Sequence, residues 1–97
     1  PYLIYTKSMN FVTVYDERSI GNPSKNRFDG VPARIIVLCN ESPKTMEQIK
    51  KHIQELGEEE GQADEGVSQL EEMGILYGDN GDKGKYLTLA LPHNENL

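Results

Sequence analysis

Residues 67–92, VSQLEEMGILYGDNGDKGKYLTLALP, contain the pattern that decides the fold. Apolar residues recur at the spacing of one helical face up to Met73, and the residue that follows, Gly74, is of the type that ends a helix with a positive φ. A short apolar run, the turn-forming residues 78–84 and an alternating segment come next. The pattern predicts the end of a helix followed by a β-hairpin. One face of the second strand carries Leu87, Leu89 and Leu91, and the other carries Tyr86, Thr88 and Ala90.

Two strand-like runs occur near the start of the chain. Tyr2–Tyr5 and Phe11–Tyr15 are rich in aromatic and β-branched residues, which favour strands. Residues 19–26, SIGNPSKN, have the composition of a loop, and Arg27–Asp29 has the length of a brief third strand. We therefore expect one or two N-terminal strands, with a short third strand as an option.

A first, buried helix is expected over Val31–Cys39. Its β-branched residues would also allow a strand, but Asp29 suits a helix N-cap and Pro32 suits the first turn. The spacing of Ile35 and Leu38 agrees with one helical face. These features together favour the helix.

The second helix has the clearest signal in the chain. Thr45 and Gln48 have the spacing of a capping box, and Gly57 follows at the expected end. The apolar residues between them lie on one helical face. They are Met46, Ile49, Ile53 and Leu56. The acidic residues 58–66 then lead into a third helix, predicted over Ala63–Met73.

This order of elements predicts an α+β fold. One or two N-terminal strands, three helices and a C-terminal hairpin are the parts of a small winged-helix domain. We expect residues 1–97 to form a single domain of this kind.

Composition limits the classes of function. A chain of 97 residues buries one modest core, and its net charge of −6 opposes contact with nucleic-acid phosphates. No run approaches the roughly 18 apolar residues of a membrane span, no signal peptide opens the chain, and one cysteine closes no internal disulfide. We expect a cytoplasmic protein. The first residue is Pro1 instead of Met, which fits a processed protein or a domain of a longer polypeptide, and we expect the second.

DNA binding is the usual role of a winged helix, whose third helix enters the major groove. Between Glu58 and Glu72 the chain has seven acidic residues and no Lys or Arg. Negative charge would therefore face the phosphates. A winged-helix transcription regulator is accordingly only the alternative function, and we expect no nucleic-acid partner.

Residues suited to catalysis are sparse. His52 is expected at a solvated helix position, His93 in the terminal tail, and Cys39 as a buried structural thiol. Residues 79–82, DNGD, lack the ligand spacing and the final Glu of a calcium loop. We expect no catalytic residue, metal site or cofactor in this chain.

Two features favour peptide binding. The acidic third helix would attract a basic peptide, and the strand Phe11–Tyr15 would accept an extended peptide by β-augmentation if its edge is unpaired. The alternatives are that this edge is covered and that the acidic residues are simply solvated.

The segment Phe28–Gly78 resembles the RiPP recognition element, the small peptide-binding domain typified by the pyrroloquinoline quinone biosynthesis chaperone. The resembling features are Asp29-Gly30 before an apolar helix, the Thr45–Ile49 start of the next helix and the Leu70–Leu76 ending. These are mostly core and capping positions, so the resemblance concerns the fold more than the activity.

A second resemblance covers most of the chain. Residues 12–18, VTVYDER, resemble the V-x-I-x-Asp-x-Arg strand that opens the C-terminal region of cobalamin-binding radical SAM maturases of ribosomal peptides (RiPP). Residues 86–92, YLTLALP, are similar to the Y-L-S-L-A-x-P close of the same enzymes. In that family, upstream domains hold cobalamin, S-adenosylmethionine and an iron–sulfur cluster on a Cys-x-x-x-Cys-x-x-Cys motif. This chain lacks that motif, so those cofactors are implied for a parent protein only.

The resemblance implies a non-catalytic C-terminal accessory domain of such an enzyme. It would pack on the upstream catalytic domain of the same polypeptide and, as a further role, bind precursor peptide; a purely structural cap is another alternative. A peptide would lie between the front strand and the third helix. The predicted peptide-binding residues are Val12, Val14, Val67 and Glu71. Asp16 and Arg18 are predicted either to form an internal ion pair or to contact the catalytic domain.

Overall fold

The computed structural model describes residues 2–79 and 84–93. These residues contain three helices and seven strands. In chain order they are β1 (Leu3–Lys7), β2 (Phe11–Asp16), β3 (Ser24–Asp29), α1 (Gly30–Glu41), β4 (Lys44–Thr45), α2 (Met46–Glu55), α3 (Gly61–Glu72), β5 (Leu76–Asp79), β6 (Lys85–Thr88) and β7 (Leu91–Pro92). The α+β class, the three helices and the C-terminal hairpin are confirmed, with three strands ahead of α1. The winged-helix assignment stays a prediction. None of the helices in this part of the chain is long and apolar enough to cross a membrane.

The strands form two sheets that share the C-terminal segment. One sheet has the order β3-β2-β1-β7, and the other has the order β4-β6-β5. β5 and β6 are antiparallel, with Tyr77 opposite Leu87, whereas β7 runs parallel to β1, with Leu91 opposite Ile4. The segment Lys85–Leu91, predicted as one strand, therefore divides into two strands that belong to different sheets.

Strand β2 lies inside the four-stranded sheet. Val14 of β2 is opposite Tyr5 of β1 on one side and opposite Asn26 of β3 on the other. Both edges of β2 are thus paired, so of the two alternatives left open for Phe11–Tyr15 the structure has the covered edge.

The outer strand on that side is β3. It begins at Ser24, inside the segment 19–26 that the composition predicted as a loop. All six of its residues pair with β2, from Ser24 opposite Asp16 to Asp29 opposite Phe11. Pairing with a strong strand therefore outweighs the polar composition of this segment.

The core is formed by one face of the four-stranded sheet and by the apolar faces of the helices. Its largest fully buried side chains include Ile35 and Ile36 of α1, Ile49 and Ile53 of α2, and Leu70 of α3. Burial of each such side chain contributes about 1.5–3 kcal/mol. Thr88 is also buried, and its hydroxyl donates a 2.8 Å hydrogen bond to the Ile36 carbonyl oxygen.

The predicted N-cap and glycine stop of α2 and the predicted glycine stop of α3 are confirmed, whereas α3 begins at Gly61, two residues before the predicted Ala63. The Thr45 hydroxyl accepts a hydrogen bond from the Gln48 N–H at 3.2 Å, and the Gln48 side chain accepts one from the Thr45 N–H at 2.8 Å. Gly57 and Gly74 have φ values of 87° and 72°, which L side chains rarely adopt. These local signals position α3, on which the candidate site depends.

Candidate functional site

A cleft of about 420 Å³ lies between α3 and the first turn of α1. The α3 wall carries Gln62, Glu65 and Gln69, at positions i, i+3 and i+7 of one helical face. The opposite wall includes Val31 and Pro32. The cleft therefore combines amide and carboxylate groups with an apolar side, a combination suited to the backbone and side chains of a peptide.

Gly66 lies where α3 packs closely on α1 beside the cleft. A Cβ atom at this position would lie 2.8 Å from Ile35 Cδ1 and 3.5 Å from Val31 Cγ1. A glycine inside a helix costs about 1 kcal/mol relative to alanine. Close packing of the two helices accounts for its presence here.

The end of β3 borders the cleft. Asp29, the last residue of β3, lines the cleft and stands at the N-cap position of α1. Its carboxylate caps no helical N–H but pairs with Arg27 at 3.1 Å. Among the described residues, β3 has a strand neighbour on one side only. The end of an edge strand thus borders the cleft. In β-augmentation an extended peptide pairs with such an edge, and neighbouring pockets select its side chains.

Three of the four predicted peptide-binding residues lie in the core. Val12 and Val67 are 2% exposed, and Val14 is 0% exposed. The valines of β2 lie on the face that packs on the helices, and Val67 lies on the buried face of α3. Their predicted contact with peptide is therefore corrected to a role in the core. Glu71 is exposed, and its contact with peptide stays a prediction.

The ion pair of Asp16 and Arg18 joins the end of β2 to the end of α3. The Arg18 guanidinium donates hydrogen bonds to the Asp16 carboxylate at 2.7 and 2.9 Å. It also donates to the carbonyl oxygens of Gly74 at 2.8 Å and Met73 at 3.2 Å. Hydrogen bonds from Arg18 lower the pKa of Asp16 to about 2. The pair thus ties a strand to a helix, and a contact with another domain stays a prediction.

Glu71 faces Tyr86 across Gly78. A Cβ atom on Gly78 would lie 2.5 Å from Glu71 Oε2 and 2.9 Å from Tyr86 Cε1, so the absence of a side chain leaves room for both. Burial raises the pKa of the Tyr86 phenol, as do the negative charges of Glu71 and Asp64. Lys50 of α2 pairs with Asp64 at 3.4 Å. The cluster connects α2, α3 and the hairpin.

The groups that could perform chemistry are dispersed. Cys39 is buried, and desolvation raises the pKa of its thiol to about 11, which suppresses the reactive thiolate. His52 is half-buried on α2 and His93 is exposed after β7. Within residues 2–79 and 84–93, no three His, Cys, Asp or Glu side chains cluster as a metal site would require. Most of the predicted turn over residues 78–84, including three of the four residues of DNGD, lies outside the described residues.

The polar residues of the cleft were missed by the sequence analysis. Gln62, Glu65 and Gln69 have a helical spacing, but the prediction followed the apolar face of the same helix instead. Gly66 was the available signal, because a glycine inside a helical pattern often marks a close approach.

No family model, curated protein or solved structure matches this chain.

Proposed function

We propose that this chain is a winged-helix-like accessory domain of a cobalamin-dependent radical SAM enzyme of ribosomal peptide maturation. The domain is cytoplasmic and non-catalytic, packs on the catalytic domain of its polypeptide, and binds precursor peptide. One observation carries the peptide-binding role. The edge strand β3 lies beside the cleft formed with α3, so a peptide could add to the strand and place side chains in the cleft.

The two segments that resemble the maturases meet in one sheet. Residues 12–16 of the first segment lie on β2, and Leu91–Pro92 of the second form β7. Both strands pair with β1, one on each side. Their common location supports the view that the two motifs belong to one structural unit.

The implied cofactors would belong to the parent enzyme. An iron–sulfur cluster takes several cysteine ligands, and this chain has only Cys39, which is buried. The residues of this chain therefore do not fit such a cluster, and upstream domains would hold it together with S-adenosylmethionine and cobalamin. The role of this domain would be to bind the precursor peptide and to position it.

The parent enzyme can be tested by expressing the complete reading frame anaerobically and recording its visible spectrum after iron–sulfur reconstitution. A broad iron–sulfur absorption, with a Cys-x-x-x-Cys-x-x-Cys motif upstream, is the expected result. A colourless protein whose reading frame lacks that motif would refute the assignment to a radical enzyme.

Peptide binding can be tested with the same full-length protein and the precursor peptide encoded beside its gene. Glu65→Lys reverses a charge inside the cleft, and we expect the Kd to rise at least about tenfold. Glu55→Lys makes the same charge change at an exposed residue of α2 that does not line the cleft, and this variant should bind as the wild type does. Equal Kd values for the three proteins would refute the cleft as the site. No binding by any of them would favour a structural cap.

A further inference from the structure

An apolar strip runs along the outer side of the C-terminal strands. We call it the outer strip, and it consists of Tyr77, Leu87, Leu89, Leu91, Ile4 and Tyr2. Its three leucines are between 39% and 64% exposed, both tyrosines are more than half exposed, and Ile4 is half-buried. It is separate from the cleft between α1 and α3.

Strand pairing makes the outer strip continuous. Tyr77 is directly opposite Leu87, and Leu91 is directly opposite Ile4. Residues paired in this way point to the same face of a sheet. Leu89 lies between the two pairs and is 43% exposed, whereas Ala90 beside it is buried. The outer strip therefore extends across strands of both sheets.

Large apolar side chains lie on the exposed face of the segment after Lys85. The large leucines point outward, whereas the small residues Thr88 and Ala90 point inward and are buried. With about 200 Å² for each large side chain, roughly half of it exposed, the outer strip presents on the order of 500 Å² of apolar surface. This area is comparable with the apolar core of one side of a standard protein interface. Apolar patches of this size are often functional.

The N-terminal end of β1 lies beside the outer strip. Because β7 runs parallel to β1, the residues ahead of Ile4 lie beside the segment that enters β7. In the proposed function the catalytic domain is joined ahead of Tyr2, and it would then be linked next to Leu89 and Leu91. A domain linked there meets the outer strip at a high effective concentration. A second copy is a poorer partner, since each copy carries a net charge of −6.

We infer that the outer strip is the surface through which this domain docks on the domain that precedes Tyr2, and that the docking partner presents an apolar, uncharged face. The inference rests on the proposed function, in which the catalytic domain lies on that side. The guanidinium of Arg18 is bonded to Asp16 and to the end of α3. The outer strip, and not this ion pair, supplies the contact.

Photo-crosslinking in the full-length protein tests the inference. Leu89→p-benzoylphenylalanine places a photoreactive group in the outer strip, and the crosslinked peptides are identified by mass spectrometry. Ile20→p-benzoylphenylalanine is the control, because Ile20 is 96% exposed and lies in the loop between β2 and β3. We expect position 89, but not position 20, to crosslink to the domain that precedes Tyr2.

A matched pair of charge substitutions gives a second measurement. Leu89→Asp should expose the linker ahead of Tyr2 and raise its rate of cleavage by a protease at least about fivefold, as expected for loss of an interface anchor. Ile20→Asp introduces the same charge at an exposed apolar residue outside the outer strip and should leave the rate unchanged. Equal thermal unfolding of this domain in the two variants excludes misfolding as the cause.

Three results would overturn the inference. Crosslinks between two copies would make the outer strip a dimer interface, and absence of crosslinks from position 89 in a protein with the iron–sulfur spectrum would leave the outer strip uncovered. Both results leave the proposed function standing. A complete reading frame with no preceding domain overturns the proposed function and the docking together, so the failures are distinguishable.

Discussion

Removal of the Arg18 guanidinium is the sharpest test of how the sheet is fixed to α3. Arg18→Met keeps most of the aliphatic stem and deletes every hydrogen-bond donor of the side chain. The lost bonds are those to the Asp16 carboxylate and to the carbonyl oxygens of Gly74 and Met73. The substitution should therefore loosen the junction between β2 and the end of α3.

The magnitude follows from the number of bonds and from their exposure. Hydrogen bonds to charged groups contribute about 1.5–3 kcal/mol each where they are well shielded. Here the side chains of Arg18 and Asp16 are 38% and 25% exposed, so solvent screens much of the interaction. We expect the free energy of unfolding to fall by about 2 kcal/mol in total. For a domain of this size, the melting temperature would fall by about 10 °C.

The assay is urea and thermal unfolding followed by circular dichroism, with Arg27→Met as the matched control. Like Arg18, Arg27 forms an ion pair with an aspartate two residues away, in this case Asp29. Both side chains of this pair are about 60% exposed. The Arg27 guanidinium lies 3.8 Å from the centre of the Phe11 ring, a contact that Met largely preserves as an apolar one. The control should therefore lose only about 0.5 kcal/mol.

Two results would refute this reasoning. If Arg18→Met lowers the free energy of unfolding no more than Arg27→Met does, the bonds from Arg18 to α3 make no net contribution to stability. Arg18→Lys keeps the charge but lacks the planar fork that reaches the carboxylate and both carbonyl oxygens together. Full stability of Arg18→Lys would show that charge alone matters, whereas we expect a loss of about 1 kcal/mol.

Three further predictions concern pH, the core and the helix contact. The pKa of Asp16 is lowered to about 2, so its ion pair stabilises the protein fully above about pH 5 and is lost as the pH falls towards 2. In acid titrations, the free energy of unfolding of Asp16→Asn should therefore fall by about 1 kcal/mol less over that range than that of the wild type. Val14→Lys should unfold the protein because it buries an unpaired charge, whereas Tyr15→Lys, on the outer face of the same strand, should leave a cooperative unfolding transition; a folded Val14→Lys protein would contradict the described core. Gly66→Leu should cost about 1–3 kcal/mol by forcing α3 away from α1, and Gly61→Ala, where a Cβ meets no atom within 4 Å, should be neutral or stabilising; equal denaturation midpoints for the two variants would refute the close contact.

Local signals predicted most of the elements. The capping box at Thr45 and the helix stops at Gly57 and Gly74 depend on residues within one turn of each other. The interactions behind such signals lie within the local sequence, so no distant residue is needed to read them. The same applies to the β-hairpin after Gly74. The groove predicted between the front strand and α3 differs from the described cleft, which lies between α3 and the first turn of α1.

Several features depended on distant partners and were missed or misassigned. The strand from Ser24 exists because β2 pairs with it, although its own composition favours a loop. The sequence also contains no sign that β3, and not β2, is the outer strand. Burial of Val12 and Val14 depends on the helices that cover one face of the sheet.

The alternation after Lys85 separates what the sequence determined from what the tertiary structure decided. Sequence by itself predicted that Leu87, Leu89 and Leu91 share one face, because alternate side chains of a strand point the same way. All three are exposed, although the segment divides between two strands. Only the tertiary structure decided which face is inside. Thr88 lies where its hydroxyl reaches the Ile36 carbonyl oxygen of α1, so the small residues pack inward and the leucines face outward. Alternation of residue types along a strand shows which side chains share a face, but it carries no information about which face the rest of the protein covers.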